Sequence, residues 1–306
     1  MNQTTDSRAR VSVLGAGLMG HGIAQAFMVA GFQVAIWDPN PAVRADVPRR
    51  IAGHLELLGQ SRPVDVRISD TLEQCVEDCD LVVEAAPEKL DIKRELVRAI
   101  DAANPHCIVA SNTSVLRITE IAAGSALASR IVGTHWWNPP YLMPLVEVVH
   151  GEQTDKRVVQ RLIAWLEQAG KIPVEVYRDV PGFVGNRMQF ALVREAAHIV
   201  EQGICAPETV DLVARLTFGR RLPEIGPLRN ADFIGLDLTS DIMDYLAPSL
   251  SNAGQAPRMF REKVEAGNIG AKSGQGTYAW QPSERDATER RLLEHLIAVS
   301  RQEKNE

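Results

Sequence analysis

The stretch from Val11 to Gly22, VSVLGAGLMGHG, constrains this chain more than any other. Residues of buried-strand character run straight into a glycine-rich turn, and an amphipathic segment, HGIAQAFMVAG, follows. Gly15, Gly17 and Gly20 hold the G-x-G-x-x-G spacing. The first permits a tight turn, the second lets backbone approach a pyrophosphate, and the third allows a helix to pack close on its strand. Leu18 and Met19, at the start of the following helix, are expected to bind the cofactor with the glycines. The spacing predicts a helix over 18–30, with unpaired N–H groups and the positive dipole end facing the phosphates. A second strand, FQVAIWD, ends in Asp38, roughly 20 residues past the first glycine, where a carboxylate accepts from the adenosine ribose hydroxyls and repels a 2′-phosphate. The cofactor implied is NAD rather than NADP.

Strand and helix patterns then alternate. The segment 39–64 reads as a helix or broken helical pair. A short strand at 66–69 precedes a helix ending near Asp80, and LVVEAAP (81–87) is a continuous apolar run of the kind a parallel strand shows when covered on both faces. A helix over 90–102 and the strand CIVAS follow, then RIVGTHW, LVEVVHG and IPVEVY, with a helix over 154–170 before the last. The expected fold is α/β: an N-terminal Rossmann doubly wound sheet over 1–180, followed by a smaller all-α domain over 181–306 that opens at DVPGF. In it Phe190, Val193, Ala197 and Val200 recur at helical spacing and Gly203 marks a stop. Helices are expected over 207–217, 232–246 and 257–265, then a glycine-rich turn, AKSGQGTY, and a last helix over 284–299.

Ligands of such sheets lie beyond the carboxyl ends of the strands. Ser114 in SNTSV, His135 at the end of RIVGTHW, Glu147 in PLVEVV and Asn186 in PGFVGNR fall at or near such ends. Together they supply a general base, a carboxylate to orient it and two hydrogen-bonding groups, which is a kit for oxidising a secondary alcohol beside NAD. Singly, each has a plainer reading: a structural histidine, a buried salt-bridge partner for Glu147, and helix caps for Ser114 and Asn186.

A chain of 306 residues with 45% hydrophobic content has room for two domains and a large core. The net charge of −6 and the lack of a basic stripe argue against nucleic acid. No apolar run approaches the roughly 20 residues that span a bilayer. The polar start MNQTTDSRAR has no apolar core of a signal, so a cytoplasmic enzyme is expected. Cys75, Cys79, Cys107 and Cys205 show no metal-ligand spacing and are expected as reduced, mostly buried thiols, with no metal.

In order and spacing, GAGLMG, VVEAAPEKLDIKREL, SNTS, HWWNPP, PLVEVV, DVPGFVGNR and KSGQGTY resemble the 3-hydroxyacyl-CoA dehydrogenases over nearly the whole chain. The resemblance implies His135 and Glu147 as the catalytic pair with Ser114 and Asn186 assisting. It places Glu88, Lys93 and Asn138 near the nicotinamide ribose, Asn112 of SNTS at the cofactor, and Lys272 near the distal part of the substrate. It further implies a helical C-terminal domain that forms a homodimer, with the active site in the cleft between domains. One departure bears on substrate. CoA-using members carry a long lysine-rich helical hairpin between the second and third strands, whereas this chain has a short segment and no lysine before Lys89. Arg44, Arg49, Arg50 and Arg62 are the phosphate binders it has to offer there. NPPYLMPLVEVV looks more like the branch acting on free hydroxy compounds, of the gulonate (lambda-crystallin), carnitine or pyridine-carboxylate type. The expected substrate is small, anionic and free of CoA. The alternatives are a CoA thioester, a lysine-centred hydroxyacid or imine reductase, and an NAD-binding protein with a structural or regulatory duty.

Overall fold

The computed structural model describes residues 9–303. The expectation drawn from MNQTTDSRAR falls largely on residues 1–8, which lie outside that range. Eight strands form one sheet: β1 (Arg10–Leu14), β2 (Gln33–Trp37), β3 (Val66–Ile68), β4 (Leu81–Glu84), β5 (Ile108–Ser111), β6 (Ile131–Trp136), β7 (Leu145–His150) and β8 (Ile172–Val176). Their order is β3-β2-β1-β4-β5-β6-β7-β8. Every neighbouring pair is parallel except β6 with β7. The order in which the strands are added reverses between β1 and β4, the place where sheets of this kind form a ligand crevice at the strands' carboxyl ends.

The apolar runs are explained by burial on both faces. Val11, Val13, Leu81, Val83, Ile108 and Ala110 point into one core with residues of α1 (Gly20–Val29), α2 (Pro41–Leu57) and α6 (Lys156–Gln168). Leu14, Val82 and Val109 point into the other, with α3 (Leu72–Val76), α4 (Leu90–Ala103) and α5 (Ile118–Ala122). Successive strand residues alternate between these layers because side chains alternate across a pleated strand. Helix starts carry their chemistry openly: the Asn40 side chain accepts from Ala42 N before Pro41, and Asp155 accepts from Arg157 N.

The segment 39–64 contains one helix, α2, which runs through Pro48 although that residue has no N–H to give. Val47, Ile51 and Leu55 hold it against the core. The expected helix over 232–246 is two, α9 (Pro227–Ile234) and α10 (Leu236–Leu246), divided at Gly235 with φ +104°. A left-handed glycine ends one helix and starts the next.

Contacts divide the chain into two compact units, one of residues up to Asn186 together with those from Leu293 onward, the other of Arg187–Leu292. α7 (Gly185–Glu201) and α12 (Pro282–Glu303) each run through a division point. The second unit also contains α8 (Pro207–Leu216), α9, α10, α11 (Arg258–Glu265) and a turn with bridges Gly270 to Gln275 and Gln275 to Ala279. Inside it Glu195 accepts from Ser251 N and Glu201 from Met259 N, both at 2.7 Å. These carboxylates on α7 tie the later helices to the first.

Candidate active site

The glycine turn leaves β1 under tight steric control. Gly15 has φ +98°, and a Cβ there would come within 2.6 Å of the Ala85 carbonyl oxygen. A Cβ on Gly20 would overlap the Gly15 carbonyl, whereas one on Gly17 would meet nothing within 4 Å. The backbone of Gly17 therefore faces open space at the start of α1, as a pyrophosphate cradle requires. Leu18 is exposed and Met19 is the residue that caps α1. Asp38, just past β2, folds back on this turn: Oδ2 accepts from Ala16 N and Oδ1 from Asn40 N, each at 2.9 Å. Its half-buried carboxylate stands at the crevice. These residues fit an NAD, which when bound supplies a hydride acceptor.

Next to the crevice a buried ionic network carries the SNTSV loop. Lys93 is fully buried, and its Nζ lies 2.9 and 3.0 Å from the Glu84 oxygens, 3.3 Å from the Ala86 carbonyl and 3.4 Å from Glu88 Oε2. Ser111 Oγ donates to Glu84 at 2.5 Å. Glu88 Oε1 accepts from the Thr113 hydroxyl and from the backbone N–H groups of Ser114 at 2.9 Å and Val115 at 3.1 Å. Burial pushes the Glu88 carboxyl up, but the Thr113 hydrogen bond, the Lys93 charge and the two N–H donors together hold it below its ordinary value. Glu88 and Lys93, named above for the ribose, are thus joined to each other and to the loop, and the Lys93 ammonium is enclosed by protein oxygens. Removing one partner of such a buried pair costs about 3–5 kcal/mol.

Asn112 Oδ1 accepts from Trp136 N at 3.1 Å, linking the loop after β5 to the end of β6. There His135 and Glu147 face each other in register on the antiparallel pair. Directly opposed residues share a face of the sheet, so the spacing between them reflects one reversal of the chain. His135 Nδ1 lies 2.6 Å from Glu147 Oε2, and both side chains are almost wholly buried. A carboxylate only accepts, so Nδ1 carries the hydrogen and Nε2 is the basic nitrogen. Nε2 has no hydrogen-bond partner among the described residues.

Glu147 Oε1 accepts from Val184 N at 2.9 Å and Gly185 N at 3.1 Å, the opening N–H groups of α7. Burial pushes this carboxyl up, yet the bonds from His135, Val184 and Gly185 outweigh it and hold Glu147 ionised below the usual carboxylate range. The turn that aims these donors is strained: Phe183 is buried at φ +48°, a region that costs a bulky side chain about 1–3 kcal/mol. Its ring centroid lies 5.8 Å from that of His135, and the Trp137 ring lies 4.9 Å from the His135 ring. A Cβ on Gly185 would collide with the Trp137 indole.

Asn186 does not cap its helix. Its Nδ2 donates to the Ser114 carbonyl at 3.0 Å, leaving the second N–H of the amide for another acceptor. Ser114 does not cap α5, whose leading residue Arg117 receives no side-chain cap; its half-buried hydroxyl has no partner among the described residues. Asn138 is exposed beyond Trp137. Lys272 belongs to the unit Arg187–Leu292. Sequence reasoning missed Glu84, Thr113, Phe183 and the N–H groups of Val184 and Gly185. The buried-strand glutamate Glu84 was a signal for a buried cation; the backbone donors left none.

Comparison with known proteins gives a consistent placing. The family model described as "3-hydroxyacyl-CoA dehydrogenase, NAD binding domain" matches residues 10–180, and that described as "3-hydroxyacyl-CoA dehydrogenase, C-terminal domain" matches residues 182–280. The chain is 36% identical to a 5-formyl-3-hydroxy-2-methylpyridine 4-carboxylate 5-dehydrogenase of Mesorhizobium japonicum, covering 95% of this chain and 97% of that one. It is 40% identical to a probable 3-hydroxybutyryl-CoA dehydrogenase of Bacillus subtilis, covering 89% and 97%. A solved structure of a dehydrogenase of the same pyridine carboxylic acid, described as an NAD+ dependent dismutase, superposes with a TM-score of 0.90 at 35% identity, covering 96% and 98%.

Proposed function

The chain belongs to the 3-hydroxyacyl-CoA dehydrogenase family and is an NAD-dependent dehydrogenase acting on CH–OH groups; from that premise we propose that it oxidises a small, free, anionic hydroxy compound by means of a His135–Glu147 pair. The carrying observation is the pair itself, with a basic nitrogen left unpartnered. His135 Nε2 takes the hydroxyl proton as the hydride departs, and Glu147, held ionised by α7, balances the charge that forms on the ring. The Ser114 hydroxyl and the remaining Asn186 N–H hold the substrate oxygen as its charge changes. The network through Glu88, Lys93 and Glu84 keeps Ser114 in place. Asp38 selects NAD at the adenosine ribose.

The free-acid reading is supported by the arginines between β2 and β3. Arg44 donates to the Asp38 carbonyl at 2.6 Å and lies 3.9 Å from Asp70. Arg49 and Arg50 both bind Asp46, at 2.5 and 2.7 Å, and Arg62 donates to the Val29 carbonyl at 2.8 Å. All four thus have protein partners, with which a CoA phosphate would have to compete. The pyridine-carboxylate relative points the same way, and the probable 3-hydroxybutyryl-CoA dehydrogenase keeps the thioester as the second reading. A homodimer through the helical unit is supported by Leu228, Phe233 and Tyr245, which are 85%, 81% and 90% exposed in the single chain. The deciding experiment is a screen for NADH formation from 3-hydroxyacyl-CoAs, free hydroxy acids, carnitine, gulonate and pyridine carbinols. Turnover of the CoA thioesters alone overturns the free-acid reading.

A further inference from the structure

His21 lies outside the G-x-G-x-x-G pattern, in the first turn of α1, and is 3% exposed. Its Nδ1 lies 2.5 Å from the Gly17 carbonyl oxygen. A carbonyl only accepts, so Nδ1 donates. Behind it the imidazole stacks on His54 of α2, with centroids 5.1 Å apart, and His54 stacks in turn on Tyr141, 4.1 Å away in the loop after β6. His54 Nδ1 lies 2.9 Å from Gln25 Oε1 on α1. Two rings from two other elements thus brace one imidazole against the glycine turn. Burial, with Arg50 nearby on α2, holds both histidines below their ordinary pKa, so the stack is uncharged near neutrality.

Gly17 has no Cβ to restrict its turn, and its carbonyl accepts a long backbone bond, 3.4 Å from the His21 N–H, beside the much closer Nδ1. The Gly17–Leu18 peptide is trans and planar, so its C=O and N–H point in opposite directions. Tying the carbonyl to His21, toward the helix, turns the Leu18 N–H the opposite way, and a Cβ built on Gly17 meets nothing within 4 Å to crowd a ligand there. We propose that His21 is a positioning residue for the dinucleotide: it holds the Gly17 carbonyl so that the Leu18 N–H is presented to a phosphate of NAD, and the stack on His54 and Tyr141 fixes its ring. The same stack joins the phosphate turn to the loop that carries Trp137 and Asn138.

Titration calorimetry of NAD into the purified full-length chain tests this without any substrate. His21→Ala weakens NAD binding by about tenfold, the worth of one well-placed hydrogen bond. His21→Phe keeps a ring for the stack, lacks the donor, and binds as weakly as His21→Ala. His21→Asn puts an amide nitrogen where Nδ1 stood and returns affinity to within about threefold of the parent. Thermal melts confirm that each variant is folded. His21→Phe binding NAD like the parent overturns the proposal, as does a folded His21→Asn that binds no better than His21→Ala. The hydride-transfer reading is tested by turnover, so its failure leaves these affinities untouched.

Discussion

His135 and His21 are each 3% exposed, and each spends Nδ1 on an oxygen. The oxygen beside His135 belongs to a carboxylate that α7 keeps ionised; the one beside His21 belongs to a carbonyl, and the next group behind that ring is a second imidazole. A carboxylate lets a buried ring take up a proton and keep it for part of a reaction, because the new charge has a partner at once. A carbonyl and an imidazole offer no such balance, and burial then favours the neutral ring. Two buried histidines at the same sheet end are thereby divided: in the roles proposed above, one moves a proton and the other holds a peptide.

The largest effect that breaks this comparison is expected at His135. His135→Ala lowers kcat by about 10²–10⁴, the range for a lost general base, while calorimetry finds NAD affinity within twofold. A variant that keeps the parent rate ends the assignment. Glu147→Gln keeps the shape of the pair and removes its charge; steady-state kinetics are expected to show kcat down by about 10²–10³ with substrate KM changed far less. Asp38→Ala is expected to narrow the preference for NAD over NADP by about tenfold, since the repulsion of a 2′-phosphate goes with the carboxylate. An unchanged ratio of kcat/KM for the two cofactors removes Asp38 from the ribose site.

The smallest effect concerns the stack. Burial first, then the neighbouring His21 and Arg50, push His54 down to about 4 from its ordinary 6.5. Below pH 6.5 the unfolded chain therefore takes up a proton that the folded chain refuses. The stability due to the neutral ring is fully present above that pH and is lost as pH falls from 6.5 toward about 4. Thermal melts of His54→Phe against pH are expected to fall less steeply across that window, and parallel curves refute the assignment.

Much of the site was legible because its parts are local. The glycine turn, its strand and the acidic end of β2 lie within one βαβ unit, where side-chain size and hydrophobic period speak directly. Their places at or near strand ends singled out His135, Glu147, Ser114 and Asn186, and the resemblance then implied roles for them. What it suggested for Glu88 and Lys93 was proximity to a ligand; their partners within the protein are each other, Glu84, Ala86, Thr113 and the backbone of the SNTSV loop. The two-helix break at Gly235 was missed because a glycine in a helical pattern is legible as a tolerated residue or as a stop, and only its φ of +104° decides.

By itself the amino-acid order determined the layered α/β fold, the NAD cofactor and the residue types available for chemistry. These follow from patterns of burial and from steric limits that act over a few residues. The tertiary structure decided the rest. β7 runs antiparallel to β6, which sets Glu147 opposite His135; a left-handed Phe183 aims two backbone N–H groups at that carboxylate; and a histidine of α1 is braced by rings from α2 and from the loop after β6. A strand's direction and a backbone donor's aim depend on what packs beside them, and residue identity carries no mark of either.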